Sequence, residues 1–181
     1  MNLPNKLTIS RVVMIPFFVF FLLADFGNHP DGIQNYIAAA IFVIASLTDW
    51  FDGYLARKNN LVTNFGKFMD PLADKLLVCS ALVCLTAKNQ LAAWIVIVII
   101  SREFIISGFR LLASDNGVVI AASYWGKFKT AFQMIMIIMI ILDFSNKYVR
   151  LITVAVTYIA VALTIISLID YWVKNKRIIS T

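Results

Sequence analysis

The chain has 181 residues, of which 61% are hydrophobic and 14% charged, and its formal net charge is +6. Soluble globular proteins contain roughly 45–50% apolar residues, and here the excess lies in stretches close to the ~20 residues that cross a bilayer. This composition excludes an ordinary soluble protein and predicts an integral membrane protein made of helices. The basic residues are dispersed between apolar stretches instead of forming one basic face, so no nucleic-acid partner is expected.

The apolar stretches predict an all-α bundle of six transmembrane helices, forming one domain over residues 1–181. In chain order the stretches are 7–24, 36–47, 68–87, 91–112, 128–142 and 149–173. The first is short and contains Arg11 and Pro16, so its beginning is expected to lie along the membrane surface. The second continues past its apolar part into a polar run that ends at Arg57.

The distribution of basic residues predicts the orientation of these helices. With both termini in the cytoplasm, only Lys88, Lys147 and Arg150 of the sixteen Lys and Arg residues fall outside. Cytoplasmic loops are enriched in Lys and Arg. The chain is therefore predicted to be a multi-pass protein of the cell membrane.

Two pairs of aspartates interrupt this apolar sequence. Asp49 and Asp52 are three residues apart, and Asp70 and Asp74 are four apart, so on helices each pair lies on one face. The second helix is predicted to run inward and the third outward, with a short link between them. Both pairs are therefore expected near the same cytoplasmic end, where they can converge.

Carboxylates below the lipid headgroups need a partner, because an ionised Asp at the centre of a membrane helix costs roughly 2.5–3.5 kcal/mol. Ion pairs with nearby basic residues, such as Arg57, are one explanation. Divalent cations explain the clustering better, because carboxylate oxygens are the ligands that Mg²⁺ prefers and Mg²⁺ keeps positions for substrate phosphates. Two Mg²⁺ ions are predicted, and the residues leave Mn²⁺ and Ca²⁺ open. Gly53 removes a side chain where a ligand can approach closely.

These residues together form a recognisable signature. The pattern Asp49-x2-Asp52-Gly53-x2-Ala56-Arg57-x8-Gly66-x3-Asp70-x3-Asp74 resembles, without a departure, that of the CDP-alcohol phosphotransferase family of membrane enzymes. The opening residues 2–8, the run 70–75 and the six-helix layout are similar to the bacterial branch that uses glycerol 3-phosphate. Cardiolipin synthases of the family look similar around residues 70–75.

The resemblance implies an activity and a set of roles. CDP-diacylglycerol gives its phosphatidyl group to glycerol 3-phosphate and releases CMP, and the protein is a homodimer. Asp49, Asp52, Asp70 and Asp74 are metal ligands, and Asp74 is also the general base toward the acceptor hydroxyl. The residues implied for the CDP-diacylglycerol site are Gly53, Ala56, Arg57, Thr63 and Gly66.

Recognition of the acceptor phosphate requires positive charge. The candidates lie at the predicted cytoplasmic ends of later helices, with Arg110 and Lys127 first, followed by Arg102 and Lys129. The positive-inside rule explains the lysines equally well, and Arg102 can pair with the adjacent Glu103.

Two other functions stay open at this point. One is the same reaction with phosphatidylglycerol, serine or inositol phosphate as acceptor. The other is cation transport, which also uses carboxylates inside a membrane. Transport predicts charges along a pathway across the bilayer, whereas these aspartates are expected at one end of two helices.

Overall fold

The structure is a computed structural model that describes residues 3–24, 32–58, 64–115 and 123–179. At positions 3–7, 49–58, 64–68, 70–71, 112, 114–115 and 176–179 only the backbone is described. The described part of the chain contains six helices and no strand. They are α1 (Leu3–Leu23), α2 (Ile33–Lys58), α3 (Asn64–Ala87), α4 (Ala93–Asp115), α5 (Tyr124–Leu142) and α6 (Lys147–Ile179).

Local sequence accounts for several helix ends. Asn146 caps α6, since its side-chain Oδ1 accepts a hydrogen bond from the Tyr148 backbone N–H at 2.8 Å. The end of α3 is closed by bonds from Gln90 N–H to the Leu85 carbonyl and from Asn89 N–H to the Thr86 carbonyl. Asn89 has φ of 57° there, a left-handed conformation that Asn tolerates better than most residues.

The helices group by their contacts into two units, Met1–Gln90 with Ile141–Asp143, and Leu91–Ile140 with Phe144–Thr181. In the first unit, α1 packs against both α2 and α3, which also contact each other. Each helix contributes a buried stripe at helical spacing, and Phe18 and Phe42 meet at its centre with ring centroids 5.7 Å apart. The stripe of α1 consists of Thr8, Arg11, Ile15, Phe18 and Leu22.

In the second unit, α4 packs against α6. Ile99 and Ile106 of α4 and Ala160 of α6 are buried. Phe109 of α4 stacks on Tyr171 near the end of α6, with ring centroids 6.2 Å apart and planes inclined by 17°. These apolar and aromatic contacts fix the helical register that brings polar residues of α4 and α6 together.

Two helices of the described residues, α5 and α6, are long and apolar enough to cross a membrane. Only 28% of the apolar stretch of α6 is buried, and large apolar residues such as Leu151, Tyr158 and Ile169 are exposed. A long apolar helix that exposes large hydrophobic side chains is suited to lipid.

The predicted all-helical class and the number of helices are confirmed over the described residues, whereas six membrane crossings and a single domain stay predictions. The helices are longer than the apolar stretches, since α2 extends to Lys58 and α3 begins at Asn64. Pro71 lies in the interior of α3. α1 is continuous from Leu3, with no break between a surface segment and a span.

Candidate functional site

The first aspartate pair lies on α2. Ala38, Phe42 and Ala45 form the fully buried stripe of this helix. Asp49 lies four residues after Ala45 and Asp52 seven after it, so the helical register continues the buried stripe through both positions. The backbone of α2 therefore aligns this pair with the face that packs against α1 and α3.

The second pair lies on α3 and follows the same rule. Ala73, Leu77 and Ala81 are buried, and positions 70 and 74 precede Leu77 by seven and three residues. Asp74, whose side chain is described, is half-buried at the border of this stripe. The side chains of Asp49, Asp52 and Asp70 lie outside the described set, and within that set no three His, Cys, Asp or Glu side chains form a group suited to a metal. Convergence of the four carboxylates therefore stays a prediction.

Two polar residues of α1 belong to the same unit. Thr8 and Arg11 are both fully buried, at the polar end of the α1 stripe. The short connection makes α1 and α2 antiparallel neighbours, and the Phe18 to Phe42 contact sets their register. The α1 stripe thus ends in two polar side chains that are sealed from solvent.

The residues implied for CDP-diacylglycerol are only partly described. Gly53, Ala56 and Arg57 lie in the last turns of α2, and Gly66 lies in the first turn of α3. Their surroundings and the whole of Thr63 are outside the described part of the chain. Their proposed roles rest on position in the helices.

The basic residues predicted for the acceptor differ sharply in their surroundings. Arg102 and Lys129 are buried, with 8% and 1% exposure, whereas Arg110 and Lys127 are exposed. Arg102 lies near the middle of α4, where an isolated charge is costly in a membrane helix. The buried pair, and not the pair ranked first from sequence, lies in an organised polar cluster.

That cluster is built around Glu103. Its Oε1 atom forms an ion pair with the ammonium of Lys129 and lies 3.5 Å from Nη1 of Arg102. Arg102 Nε also donates a hydrogen bond of 2.9 Å to Ser167 Oγ on α6. The contacts thus join α4, α5 and α6, and they confirm the predicted pairing of Arg102 with Glu103.

The surroundings of Arg102 extend to a glycine and a tyrosine. A Cβ atom at Gly126 would lie 3.4 Å from Arg102 Nη2, in van der Waals contact, so α5 approaches the guanidinium closely at this position. Tyr171 is 2% exposed, and its hydroxyl has no hydrogen-bond partner among the described residues. Arg110, two turns further along α4, carries a like charge that acts on Arg102.

Sequence reasoning missed three members of this cluster, namely Gly126, Ser167 and Tyr171. The sequence does contain a pattern that could have indicated them. Thr164, Ser167 and Tyr171 are spaced by three and four residues, so they form a polar stripe along the otherwise apolar helix α6. Gly126, Lys129 and Gln133 repeat this pattern on α5. Such stripes indicate a polar face but do not identify its partner.

A second polar contact holds the start of α5. Ser123, directly before α5, donates a hydrogen bond of 2.6 Å from Oγ to Asp170 Oδ2. The other oxygen of Asp170 lies 2.6 Å from the ammonium of Lys174, one turn further along α6. This carboxylate therefore ties the beginning of α5 to the end of α6, and it has no described contact with Arg102 or Lys129.

Known proteins are similar to this chain along most of its length. The sequence profile described as CDP-alcohol phosphatidyltransferase matches residues 1–166. A protein of Bacillus subtilis named CDP-diacylglycerol--glycerol-3-phosphate 3-phosphatidyltransferase is 44% identical over 191 aligned positions, covering 99% of this chain and 98% of the relative. A Haemophilus influenzae protein of the same name is 43% identical, covering 94% of this chain and 91% of the relative.

A further relative comes from Mycobacterium tuberculosis. This protein, named probable phosphatidylglycerophosphate synthase, is 39% identical over 176 aligned positions, covering 97% of this chain and 82% of its own. The profile match extends from α1 into α6, and the three relatives cover nearly all of the chain, so the similarity is not confined to the aspartate motif. The chain belongs to the CDP-alcohol phosphatidyltransferase family.

Proposed function

We propose that the chain transfers the phosphatidyl group of CDP-diacylglycerol to glycerol 3-phosphate, giving phosphatidylglycerophosphate and CMP. The observation that carries this proposal is the complete aspartate signature on α2 and α3 in a chain that matches relatives of this named activity along nearly its whole length. Membership in a transferase family also argues against cation transport, because a transporter has no need for the residues that accompany the aspartates.

In the proposed reaction, a hydroxyl oxygen of the acceptor attacks the phosphorus that carries the diacylglycerol. A new P–O bond forms, the P–O bond to the CMP phosphate breaks, and CMP leaves with the bond electrons. Asp74 takes the proton of the attacking hydroxyl. Its half-buried position on α3 is compatible with this role, because it is neither sealed in the interior nor fully solvated.

The carboxylate positions fit divalent metal ions, since all four continue or border the stripes at which α1, α2 and α3 pack. Asp49, Asp52, Asp70 and Asp74 would hold two ions, with Mg²⁺ favoured by their hard oxygen donors. Bound there, the ions would supply charge stabilisation to the diphosphate and to the departing CMP. Arg57 supplies forked N–H donors to a donor phosphate.

The acceptor phosphate is assigned to the basic residues of the second unit. Arg102 and Lys129 are now the first candidates for binding it, followed by Arg110 and Lys127. Buried cations bind anions more strongly than exposed cations, because solvent screening is weaker. The exposed pair remains suited to attracting an anionic substrate from solution.

Six membrane crossings with both termini in the cytoplasm complete the proposal. The apolar helices α5 and α6 support membrane insertion, and the distribution of Lys and Arg supports the orientation. A water-soluble acceptor and a lipid donor would then meet at the inner membrane surface. The homodimer expected from the resemblance stays a prediction.

A product assay on purified protein tests the reaction. The enzyme in mixed micelles is given CDP-diacylglycerol and, separately, glycerol 3-phosphate, serine, inositol phosphate or phosphatidylglycerol, and both CMP and the lipid product are identified. Phosphatidylglycerophosphate is expected only with glycerol 3-phosphate. Product with only one of the other acceptors would refute the acceptor assignment, and transport of Mg²⁺ by reconstituted protein without CMP release would refute the enzyme.

A further inference from the structure

Glu103 is a charged residue of the second unit to which the proposed reaction assigns no role. A single oxygen of its carboxylate contacts two cations, Lys129 on α5 and Arg102 on its own helix. Its side chain is 18% exposed, and those of Arg102 and Lys129 are 10% and 1% exposed. The three charges form a compact cluster with one positive charge in excess.

The net positive charge of these three side chains favours an anionic ligand. Charge inside an apolar bundle is stabilised by an opposite charge, and here one carboxylate serves two cations. A phosphate monoester carries about −1.5 to −2 charges near pH 7 and offers three acceptor oxygens. It therefore fits the cluster in both charge and hydrogen-bonding capacity.

Glu103 also determines where the two cations lie. Lys129 ends in a flexible four-carbon stem, and two adjacent cations repel each other unless an anion holds them. Arg102 is restrained twice, by Ser167 at Nε and by Glu103 at Nη1, which orients the plane of its guanidinium. Loss of the carboxylate would free Lys129 to move away from Arg102.

We propose that Glu103 is a positioning residue for the acceptor: its carboxylate holds Lys129 and Arg102 side by side as a binding site for the acceptor phosphate. This inference rests on the proposed function, because it takes the acceptor to be a phosphate monoester. Glu103 itself does not contact the phosphate, which it would repel.

A rival explanation predicts the opposite change in phosphate binding when Glu103 is replaced. If Glu103 only reduces the positive charge of the bundle, Glu103→Gln raises the net charge of the cluster from one to two and strengthens phosphate binding. If Glu103 positions Lys129 and Arg102, the same substitution disorders the site and weakens phosphate binding despite the added charge. The direction of the change in KM for glycerol 3-phosphate separates the two explanations.

The experiment measures kcat and KM for glycerol 3-phosphate at saturating CDP-diacylglycerol in the wild type, Glu103→Gln and Glu103→Asp. We expect KM to rise roughly 10- to 100-fold in Glu103→Gln, the range given by loss of one charge-assisted hydrogen bond, and to recover partly in Glu103→Asp. The KM for CDP-diacylglycerol should stay near the wild-type value, which a general loss of structure would not allow.

Asp170→Asn is the matched control. Asp170 is a similarly buried carboxylate of the same unit, with 16% exposure, and it also pairs with a lysine, but it has no described contact with Arg102 or Lys129. Its substitution should leave the KM for glycerol 3-phosphate unchanged. In a Lys129→Met background, Glu103→Gln should add little, because the residue that it positions is already absent.

A KM for glycerol 3-phosphate that falls or stays constant in Glu103→Gln would overturn the inference. If that variant does not fold, an unchanged KM in Glu103→Asp overturns it equally. Failure of the proposed function is distinguishable, because the wild type would then make no phosphatidylglycerophosphate at all.

Discussion

Arg102 on α4 and Ser167 on α6 are joined by a hydrogen bond of 2.9 Å between Nε and Oγ, and both residues are buried. Ser167 also donates to the Thr164 carbonyl at 3.1 Å, so its hydroxyl is both donor and acceptor. A single small side chain thus links a buried charge to the backbone of the neighbouring helix.

Ser167→Ala should therefore destabilise the protein. The substitution leaves Arg102 Nε without this acceptor in a buried environment, which costs about 1–3 kcal/mol. Thr164→Ala is the control, because Thr164 is equally buried but its hydroxyl bonds only to the Ala160 carbonyl of its own helix. Thermal unfolding in detergent should give a clearly lower Tm for Ser167→Ala than for Thr164→Ala. Equal losses of stability would mean that the link between Arg102 and Ser167 contributes nothing specific.

Gly126 is predicted not to tolerate a branched side chain. Its Cβ position is already in van der Waals contact with Arg102 Nη2, at 3.4 Å, so the additional methyl groups of valine should crowd the guanidinium. Gly126→Val should raise the KM for glycerol 3-phosphate by about tenfold, a binding loss near 1.4 kcal/mol. Gly108→Val imposes the same change in helix propensity at a position with no atom within 4 Å. Similar kinetics in the two variants would show that helix propensity, and not space for Arg102, is responsible.

Asp74→Asn should reduce kcat while retaining donor binding. The amide cannot accept the hydroxyl proton, and loss of a general base typically lowers the rate by about 10²- to 10⁴-fold. Steady-state CMP release measures kcat, and binding of labelled CDP-diacylglycerol measures the donor site. Asp143→Asn makes the same chemical change in the exposed turn after α5 and should be silent. Turnover of Asp74→Asn within a factor of two or three of wild type would remove Asp74 from its role.

Removal of divalent metal is predicted to abolish activity. Treatment with EDTA followed by gel filtration should reduce CMP release to background, and Mg²⁺ should restore it, because the carboxylate donors favour hard cations. In Asp52→Asn the Mg²⁺ concentration for half-maximal activity should rise, whereas in Asp143→Asn it should not. Full activity of the metal-free wild type would contradict the proposed role of all four aspartates.

The helices and the aspartate site differ in how far they could be predicted. Apolar stretches located the six helices of the described residues, because burial and lipid exposure both require long apolar segments. Their ends were predicted less well, since α2 and α3 extend into polar sequence toward the aspartates. The exposure of the basic residues was not predictable, because Lys127 and Lys129 are two residues apart in sequence and lie on different sides of α5.

From sequence alone, the aspartate pattern indicated the family, which the comparisons confirm. The proposed metal and base roles rest on the same spacing, because positions separated by three or four residues share one face of a helix. Only the tertiary structure decided that Arg102, Glu103 and Lys129 form one buried cluster with Ser167. That cluster depends on contacts among three helices far apart in the chain, and packing between helices sets such contacts.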